Sequence, residues 1–191
     1  MSGERAPARS ALPLGQTQSG ESGQPISPRF APSRADDVAI GVVGWRELPA
    51  VARLQRRAFR ASLAYRLPTL ALLKALPSAR FLVARHGEEV VGCAIGDQER
   101  GQPRVVNLAV DPDWRGKGIG SALLAALEDA LPGGDIVLMV EVGNTVARGL
   151  YLRSGYQPDG TAANYYGPGR HGVWMRKRRG GGPPTPARVL T

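Results

Sequence analysis

The sequence of 191 residues has a single cysteine, Cys93, and only two histidines. One cysteine excludes an intramolecular disulfide, and no cysteine or histidine spacing typical of a metal site occurs, which favours a reducing compartment. No apolar run approaches the ~18–20 residues that a membrane-spanning helix needs, and residues 1–30 lack the apolar segment of a signal peptide. We therefore expect a cytoplasmic protein without metal or membrane span.

Negative charge is also scarce, because 25 lysines and arginines outweigh 16 acidic residues and leave a net charge of +9. Such an excess suits anionic partners, including phosphorylated ligands, ribosomes and nucleic acid. Much of the excess, however, lies in the tails and in scattered arginines. The basic run 176–179 follows the last predicted strand, where a solvated stretch is the commoner outcome and RNA or ribosome contact is the alternative.

Large apolar residues are rare at both ends of the chain. Residues 1–36 are rich in Gly, Ser, Pro and Gln, so they bury too little apolar surface to offset their ordering entropy and are predicted to be a disordered tail. Residues 179–191 are predicted to be a flexible tail rich in Gly and Pro. The segment between them, residues 37–178, has the length of one domain.

The most informative stretch of that domain runs from Arg104 to Leu131. A short run of apolar and β-branched residues ending at Val110 predicts a buried strand. The segment 111–113, Asp-Pro-Asp, has the composition of a turn. A glycine-rich loop follows, and then Leu123, Leu127 and Leu131 recur at every fourth position, which predicts an amphipathic helix.

The loop, Arg115-Gly116-Lys117-Gly118-Ile119-Gly120, has the chemistry of a phosphate site. Its glycines allow close approach of the backbone to a ligand, and the first amides of the helix are unpaired donors that favour an anion. The pattern is not a P-loop, which needs G-x-x-x-x-G-K-[ST]. Nor does G-x-G-x-G match the dinucleotide fingerprint, although Glu141 lies about where a ribose-binding acid would lie, so that alternative stays open.

The remaining patterns complete a simple order of elements. Helices are predicted from Leu48 to Phe59, from an N-cap at Thr69 to Pro77, and from Asn144 to Ser154. The predicted strands are 38–43, 81–85, 90–96, 136–142 and two closing strands around Tyr156 and 173–175, with Tyr165-Tyr166 between them. The order is therefore β-αα-βββ-α-β-α-ββ.

Two motifs resemble those of one family. V-x-P-x-x-R-G-K-G-I-G-x-x-L-L, which starts at Val110, resembles the acetyl-coenzyme A motif of the GNAT N-acetyltransferases, whose R/Q-x-x-G-x-G/A signature is Arg115, Gly118 and Gly120 here. A second motif, L-x-V-x-x-x-N-x-x-A-x-x-L-Y-x-x-x-G-F/Y, is matched at Leu138, Val140, Asn144, Ala147, Leu150, Tyr151, Gly155 and Tyr156. The resemblance covers about residues 38–177.

The resemblance implies a single-domain α/β (α+β) GNAT fold, with helices on both faces of a mixed, mostly antiparallel sheet. It also implies an acetyl-coenzyme A-dependent N-acetyltransferase. In that family the segment 107–110 lies along the pantetheine, and its backbone N–H groups polarise the thioester carbonyl. The residues that the resemblance assigns to coenzyme A are Leu108, Ala109, Val110, Arg115, Gly116, Lys117, Gly118, Ile119, Gly120, Ser121 and Asn144.

Two residues of the second motif have a structural and a functional interpretation. Asn144 is a good N-cap in its own right, and in the family the same asparagine bonds the pantetheine arm or the substrate side of the cleft. Tyr151 suits a packed helix position, and in relatives this tyrosine donates a proton to the leaving coenzyme A thiolate. The motif match favours the catalytic role for Tyr151.

The general base is the weakest part of the assignment. Relatives that act on ribosomal-protein N-termini carry a glutamate where this chain has Met139. Glu141 lies two residues on, hence on the same strand face, and is either a base acting through water or a solvated charge at the strand end.

The acceptor is predicted from chemistry and from a third resemblance. An α-amine has a pKa near 7.7–8 against about 10.4 for lysine, so a site with a weak base suits an N-terminus. Tyr165 and Tyr166 resemble the N-Y-Y ending of ribosomal-protein alanine N-acetyltransferases, and with Asn107 they are predicted to bind substrate. An aromatic hairpin covering the sheet edge is the structural alternative. A small-amine acetyltransferase, or a non-catalytic module that binds coenzyme A or the ribosome, remains the functional alternative.

Overall fold

The computed structural model describes residues 37–180, so the predicted tails lie outside it except for residues 179 and 180. The elements follow the predicted order β-αα-βββ-α-β-α-ββ. They are β1 (Val38–Val42), α1 (Leu48–Ala58), α2 (Leu67–Ala75), β2 (Arg80–His86), β3 (Glu89–Glu99), β4 (Gln102–Val110), α3 (Ile119–Ala130), β5 (Ile136–Glu141), α4 (Thr145–Arg153), β6 (Gln157–Ala162) and β7 (Gly172–Lys177).

The seven strands form one open sheet in the order β1-β2-β3-β4-β5-β7-β6. Only β4 and β5 pair in parallel, and the other neighbours pair antiparallel. Helix α3 connects those two strands, as a parallel crossover requires. The prediction of a mixed, mostly antiparallel sheet is confirmed.

The two faces of the sheet are covered by different helices, as predicted. On one face, Leu123, Leu124 and Leu127 of α3 are fully buried against β2–β5 and β7. On the other face, Val51 and Leu54 of α1 pack with α2 against β2, β3 and β4. Complete burial of a leucine contributes about 1.5–3 kcal/mol of hydrophobic stabilisation, so each helix is held to the sheet by its apolar stripe.

Strand β4 is irregular in two ways that open the sheet. Its pairing with β3 shifts register so that Val106 is an extra residue between Val105 and Asn107, which is a β-bulge. Its pairing with β5 is limited to Arg104 with Val137 and Val105 with Leu138. Beyond these pairs the strands separate, and a groove lies between them.

One predicted detail was wrong. Helix α2 begins at Leu67 with Arg66 as N-cap, three residues before the predicted Thr69 cap. Pro68 lies in its first turn, where the missing N–H of proline costs nothing. As predicted, Tyr165 and Tyr166 lie in the loop between the two closing strands, the first of which begins directly after Tyr156. None of the helices within residues 37–180 is long and apolar enough to cross a bilayer.

Candidate active site

The first of two cavities in the groove, which we term the loop cavity, has a volume of about 560 Å³. It lies between the end of β4, the glycine loop and α4. Its lining residues include Leu108, Ala109, Val110, Arg115, Gly116, Gly118, Ile119, Gly120, Ser121, Asn144, Val146, Leu150 and Tyr151. All of the residues predicted to bind coenzyme A, except Lys117, therefore line one cavity.

The glycine loop presents a row of free backbone donors. Gly116 and Gly118 have φ values of 76° and 82°, which glycine adopts without steric cost. The first backbone bond of α3 runs from Ala122 N to Gly118 O at 3.0 Å. Within residues 37–180, no amide of residues 116–121 donates to a protein acceptor. A diphosphate would satisfy such donors and interact favourably with the helix dipole, so the loop fits coenzyme A.

The two basic side chains of the loop differ in what they contact. The Arg115 guanidinium donates to Val110 O at 3.3 Å and to Ala58 O at 3.2 Å, which ties the loop to β4 and to the end of α1. The Lys117 ammonium lies 4.4 Å from the ring centroid of Trp114 and does not line the cavity. The turn before the loop is closed as predicted, because the Asp111 carboxylate accepts a hydrogen bond from Asp113 N.

The second cavity, which we term the aromatic cavity, has a volume of about 520 Å³. The bulged part of β4, the end of β5, the α1–α2 loop and the loop before β7 form its walls. Its lining residues include Phe59, Ser62, Tyr65, Arg104, Asn107, Leu138, Met139, Glu141, Asn144, Tyr151, Tyr165, Tyr166 and Trp174. Both predicted catalytic residues and all three predicted substrate residues line it.

The two cavities adjoin at Tyr151. This residue and four others line both cavities, namely Phe59, Leu108, Asn144 and Ala147. Tyr151 is only 8% exposed, and burial raises the pKa of its phenol. Its hydroxyl makes no hydrogen bond to the protein within residues 37–180. The phenol is therefore protonated at neutral pH and available as a donor at the junction.

Asn144 begins α4, as predicted. Its side-chain Oδ1 accepts a hydrogen bond from Ala147 N at 3.1 Å, which is a standard N-cap. The cap uses only the carbonyl oxygen of the amide, and Nδ2 has no protein partner in the described part of the chain. The structural and the ligand-binding interpretations of Asn144 are therefore compatible.

Glu141 is neither a solvated charge nor an unpaired base. Its carboxylate accepts two hydrogen bonds from the Arg170 guanidinium, at 2.7 Å and 2.6 Å. These bonds hold the pKa of the Glu141 carboxyl below its usual range. A carboxylate with a lowered pKa is a weak base, so this geometry argues against the catalytic role predicted for Glu141.

The loop before β7 forms a wall of the aromatic cavity. The Tyr166 hydroxyl donates to Met139 O at 3.0 Å, and burial raises the pKa of Tyr166 to about 12. The Tyr165 ring packs edge-on against both Tyr166 and Trp174. The two tyrosines thus lie at the cavity. This position is compatible both with substrate binding and with the alternative of an aromatic segment that covers the sheet edge.

Sequence reasoning missed several residues of the aromatic cavity. The α1–α2 loop contributes Phe59, which was predicted as the end of the first helix, and Ser62–Tyr65, which lie between the first two predicted helices. Trp174 and Arg104 also line the cavity. The loop residues carry no local signal, because they come to the cavity only when α1 and α2 pack on the sheet. The sequence placed Trp174 only in the last predicted strand, 173–175, without a role in the site.

Comparison with known proteins gives the family. Residues 77–158 match the acetyltransferase (GNAT) domain. An uncharacterized N-acetyltransferase of Methanocaldococcus jannaschii is 34% identical over 141 residues, which cover 70% of this chain and 87% of that protein. The N-alpha-acetyltransferase RimI of Mycobacterium tuberculosis is 33% identical over 113 residues, covering 57% and 72% of the two chains.

A solved structure agrees on the fold. The crystal structure of the ribosomal-protein-S18-alanine N-acetyltransferase from Escherichia coli superimposes with a TM-score of 0.66 at 24% identity, covering 74% of this chain and 93% of that one. The open seven-stranded sheet, the free amides of the glycine loop and these relatives agree with the resemblance found in the two motifs. The chain therefore belongs to the GNAT family and is an N-acetyltransferase that uses acetyl coenzyme A.

Proposed function

We propose that this protein transfers the acetyl group of acetyl coenzyme A to the N-terminal α-amine of a protein or peptide. The observation that carries the proposal is the lining of the aromatic cavity. No histidine, lysine, cysteine or aspartate side chain of residues 37–180 lines it, and its one carboxylate, Glu141, is held by Arg170. The cavity therefore offers no strong general base, and the acceptor amine must lose its proton largely to solvent.

The loop cavity is proposed to hold the acetyl donor. The amides of residues 116–121 would bind the diphosphate, and Asn144 Nδ2 would bind the pantetheine arm. Asp111 N donates to β3, so strand alternation directs the amides of Val110 and Leu108 into the groove. These amides would polarise the thioester carbonyl, and a donor aimed at a developing oxyanion is worth about 2.7–4 kcal/mol. Acetyl coenzyme A supplies the activated acyl group.

Tyr151 is proposed to assist the departing sulfur. A phenol whose pKa is raised by burial stays protonated, so its O–H can bond sulfur as negative charge develops there. A thiol has a pKa near 8.5, which is below that of the phenol. Tyr151 therefore acts first as a hydrogen-bond donor, and any proton that it gives up is readily recovered from solvent.

Substituting Gly118 tests the donor site. Gly118→Ala forces a Cβ onto a residue with φ of 82°, which costs about 1–2 kcal/mol and shifts the amides of the loop. We expect coenzyme A affinity, measured by calorimetry, to fall about tenfold. Gly101→Ala is the matched control, because Gly101 has φ of 83° in the β3–β4 turn, away from both cavities. Equal affinity in the two variants would contradict the assignment.

The pH dependence of the reaction tests the acceptor class. Arg170 lowers the pKa of Glu141, and burial raises the pKa values of Tyr65, Tyr151 and Tyr166. None of these groups changes charge between pH 6 and 9, where the neutral fraction of the acceptor amine sets the rate. We expect kcat/KM to rise about tenfold per pH unit and to level near pH 8, the pKa of an α-amine.

The experiment uses two peptides with the same core sequence and one small primary amine. The first peptide has a free N-terminus and no lysine, and the second has a blocked N-terminus and one lysine. Coenzyme A release is followed for each acceptor across pH 6–10. Turnover of the second peptide alone or of the small amine alone, or a rate still rising above pH 9, would assign the enzyme to lysine or to small amines.

The M. tuberculosis relative supports the α-amine, because its name states N-alpha-acetyltransferase activity. The basic residues outside the site do not require a ribosomal partner. Arg176 pairs with Asp159, and Lys177 pairs with Glu128, so part of the basic run stabilises the domain. The cytoplasmic location expected from the composition remains part of this proposal.

A further inference from the structure

A buried pair of amide side chains joins α1 to the bulge of β4. Gln55 is fully buried. Its Nε2 donates to Asn107 Oδ1 at 2.8 Å, and Asn107 Nδ2 donates back to Gln55 Oε1 at 3.3 Å. Gln55 Nε2 also lies 3.3 Å from Cys93 Sγ. Asn107 therefore uses its Oδ1 and one N–H of its Nδ2 to bond a residue outside the cavity.

The apolar surroundings of Gln55 and Asn107 favour the hydrogen-bonded arrangement of the two side chains. Most of the other buried residues on this face of the sheet, such as Val51, Leu54 and Ala109, are apolar. A buried amide that loses its partner there costs free energy, whereas a satisfied one does not. The pair consequently holds Asn107 at one distance and one orientation relative to α1.

Asn107 is the residue next to the bulge. Val106 packs with the core on the α1 face, and Asn107 bonds Gln55 on that same face, so two successive side chains point the same way. This is the distortion that a bulge introduces, and it re-aims the strand beyond it. The next amide of β4, that of Leu108, faces the groove where the two cavities adjoin.

We propose that Gln55 is a positioning residue for acetyl transfer. By bonding Asn107 it fixes the bulge of β4, and the bulge aims the Leu108 amide at the acetyl carbonyl. Asn107 also lines the aromatic cavity, so the substrate contact predicted for it remains compatible with this positioning role. The inference rests on the proposed donor site but not on the choice of acceptor.

The test compares Gln55→Met, Asn107→Leu and the double variant. Each is assayed for melting temperature, for kcat, and for the dissociation constants of coenzyme A and acetyl coenzyme A. In either single variant, the ratio of the dissociation constant of acetyl coenzyme A to that of coenzyme A should rise about tenfold. The reason is that a misplaced Leu108 amide no longer bonds the acetyl carbonyl, whereas the glycine loop still binds the diphosphate. The double variant should recover melting temperature, because two apolar groups replace two amides, yet keep the altered ratio and the lowered kcat.

Leu70→Ala is the control for stability alone. Leu70 of α2 is fully buried, takes no part in the hydrogen bonds of the amide pair and lines neither cavity, so this variant should lower the melting temperature without changing the ratio. A ratio that stays unchanged in Gln55→Met, or that returns with melting temperature in the double variant, would overturn the positioning role. If the unsubstituted protein does not bind coenzyme A, the proposed donor site itself would be refuted instead.

Discussion

Replacing Tyr151 with phenylalanine is expected to lower kcat by about 10²–10⁴-fold, the range for loss of a positioned proton donor. The ring fills the same volume, so its packing against Tyr156, at a centroid distance of 5.8 Å, is kept. The hydroxyl has no protein partner in residues 37–180 whose loss would destabilise the fold. Coenzyme A affinity should consequently stay within about twofold, as measured by calorimetry beside steady-state kinetics.

Tyr156→Phe is the matched control for this prediction. Tyr156 is the other member of the ring pair and is fully buried, and its hydroxyl also has no hydrogen-bond partner among residues 37–180. It lines neither cavity. Removing that hydroxyl should leave kcat unchanged and should not lower the melting temperature, since an unpaired buried polar group is lost. Equal kcat values for the two variants would show that Tyr151 only packs.

The sequence predicted the features of the site that depend on local chemistry. The Asp111 turn, the Gly116 and Gly118 conformations and the Asn144 cap each follow from a few neighbouring residues, since turn and cap propensities act within about four positions. The order of strands and helices came from periodicity and from the resemblance. Because the glycine loop and α4 belong to two such local units, the loop cavity could be predicted almost complete.

The features that the sequence did not predict depend on distant residues meeting. Arg170 lies 29 residues from Glu141 and turns a candidate base into half of an ion pair. Gln55 lies 52 residues from Asn107 and bonds the side-chain amide of this predicted substrate contact. Neither partner has a pattern of its own, since an arginine in a loop and a glutamine on a helix are ordinary surface residues. Their roles become visible only once the sheet brings them together.

Met139→Glu should supply the base that the aromatic cavity lacks. Met139 lines the cavity, and Gly172 on the neighbouring strand β7 leaves room for its side chain, because a Cβ at Gly172 would collide with the Met139 sulfur. A glutamate of similar length fits that space and is ionised above about pH 4–5. We expect kcat/KM at pH 6.5 to rise at least about tenfold with the free N-terminal peptide, because a general base contributes 10²–10⁴-fold in other enzymes.

The isosteric variant Met139→Gln separates basicity from polarity. Glutamine matches glutamate in size and accepts hydrogen bonds but takes up no proton at these pH values, so its pH profile should keep the shape of the unsubstituted enzyme. In the glutamate variant, kcat/KM should instead level at lower pH. The carboxylate then removes the proton of the acceptor amine, which the unsubstituted enzyme leaves to solvent. An identical rise in both variants would trace the effect to polarity, and a fall in both would mean that Met139 contacts the acceptor directly. In either case the absence of a base would not be what limits the rate below the pKa of the amine.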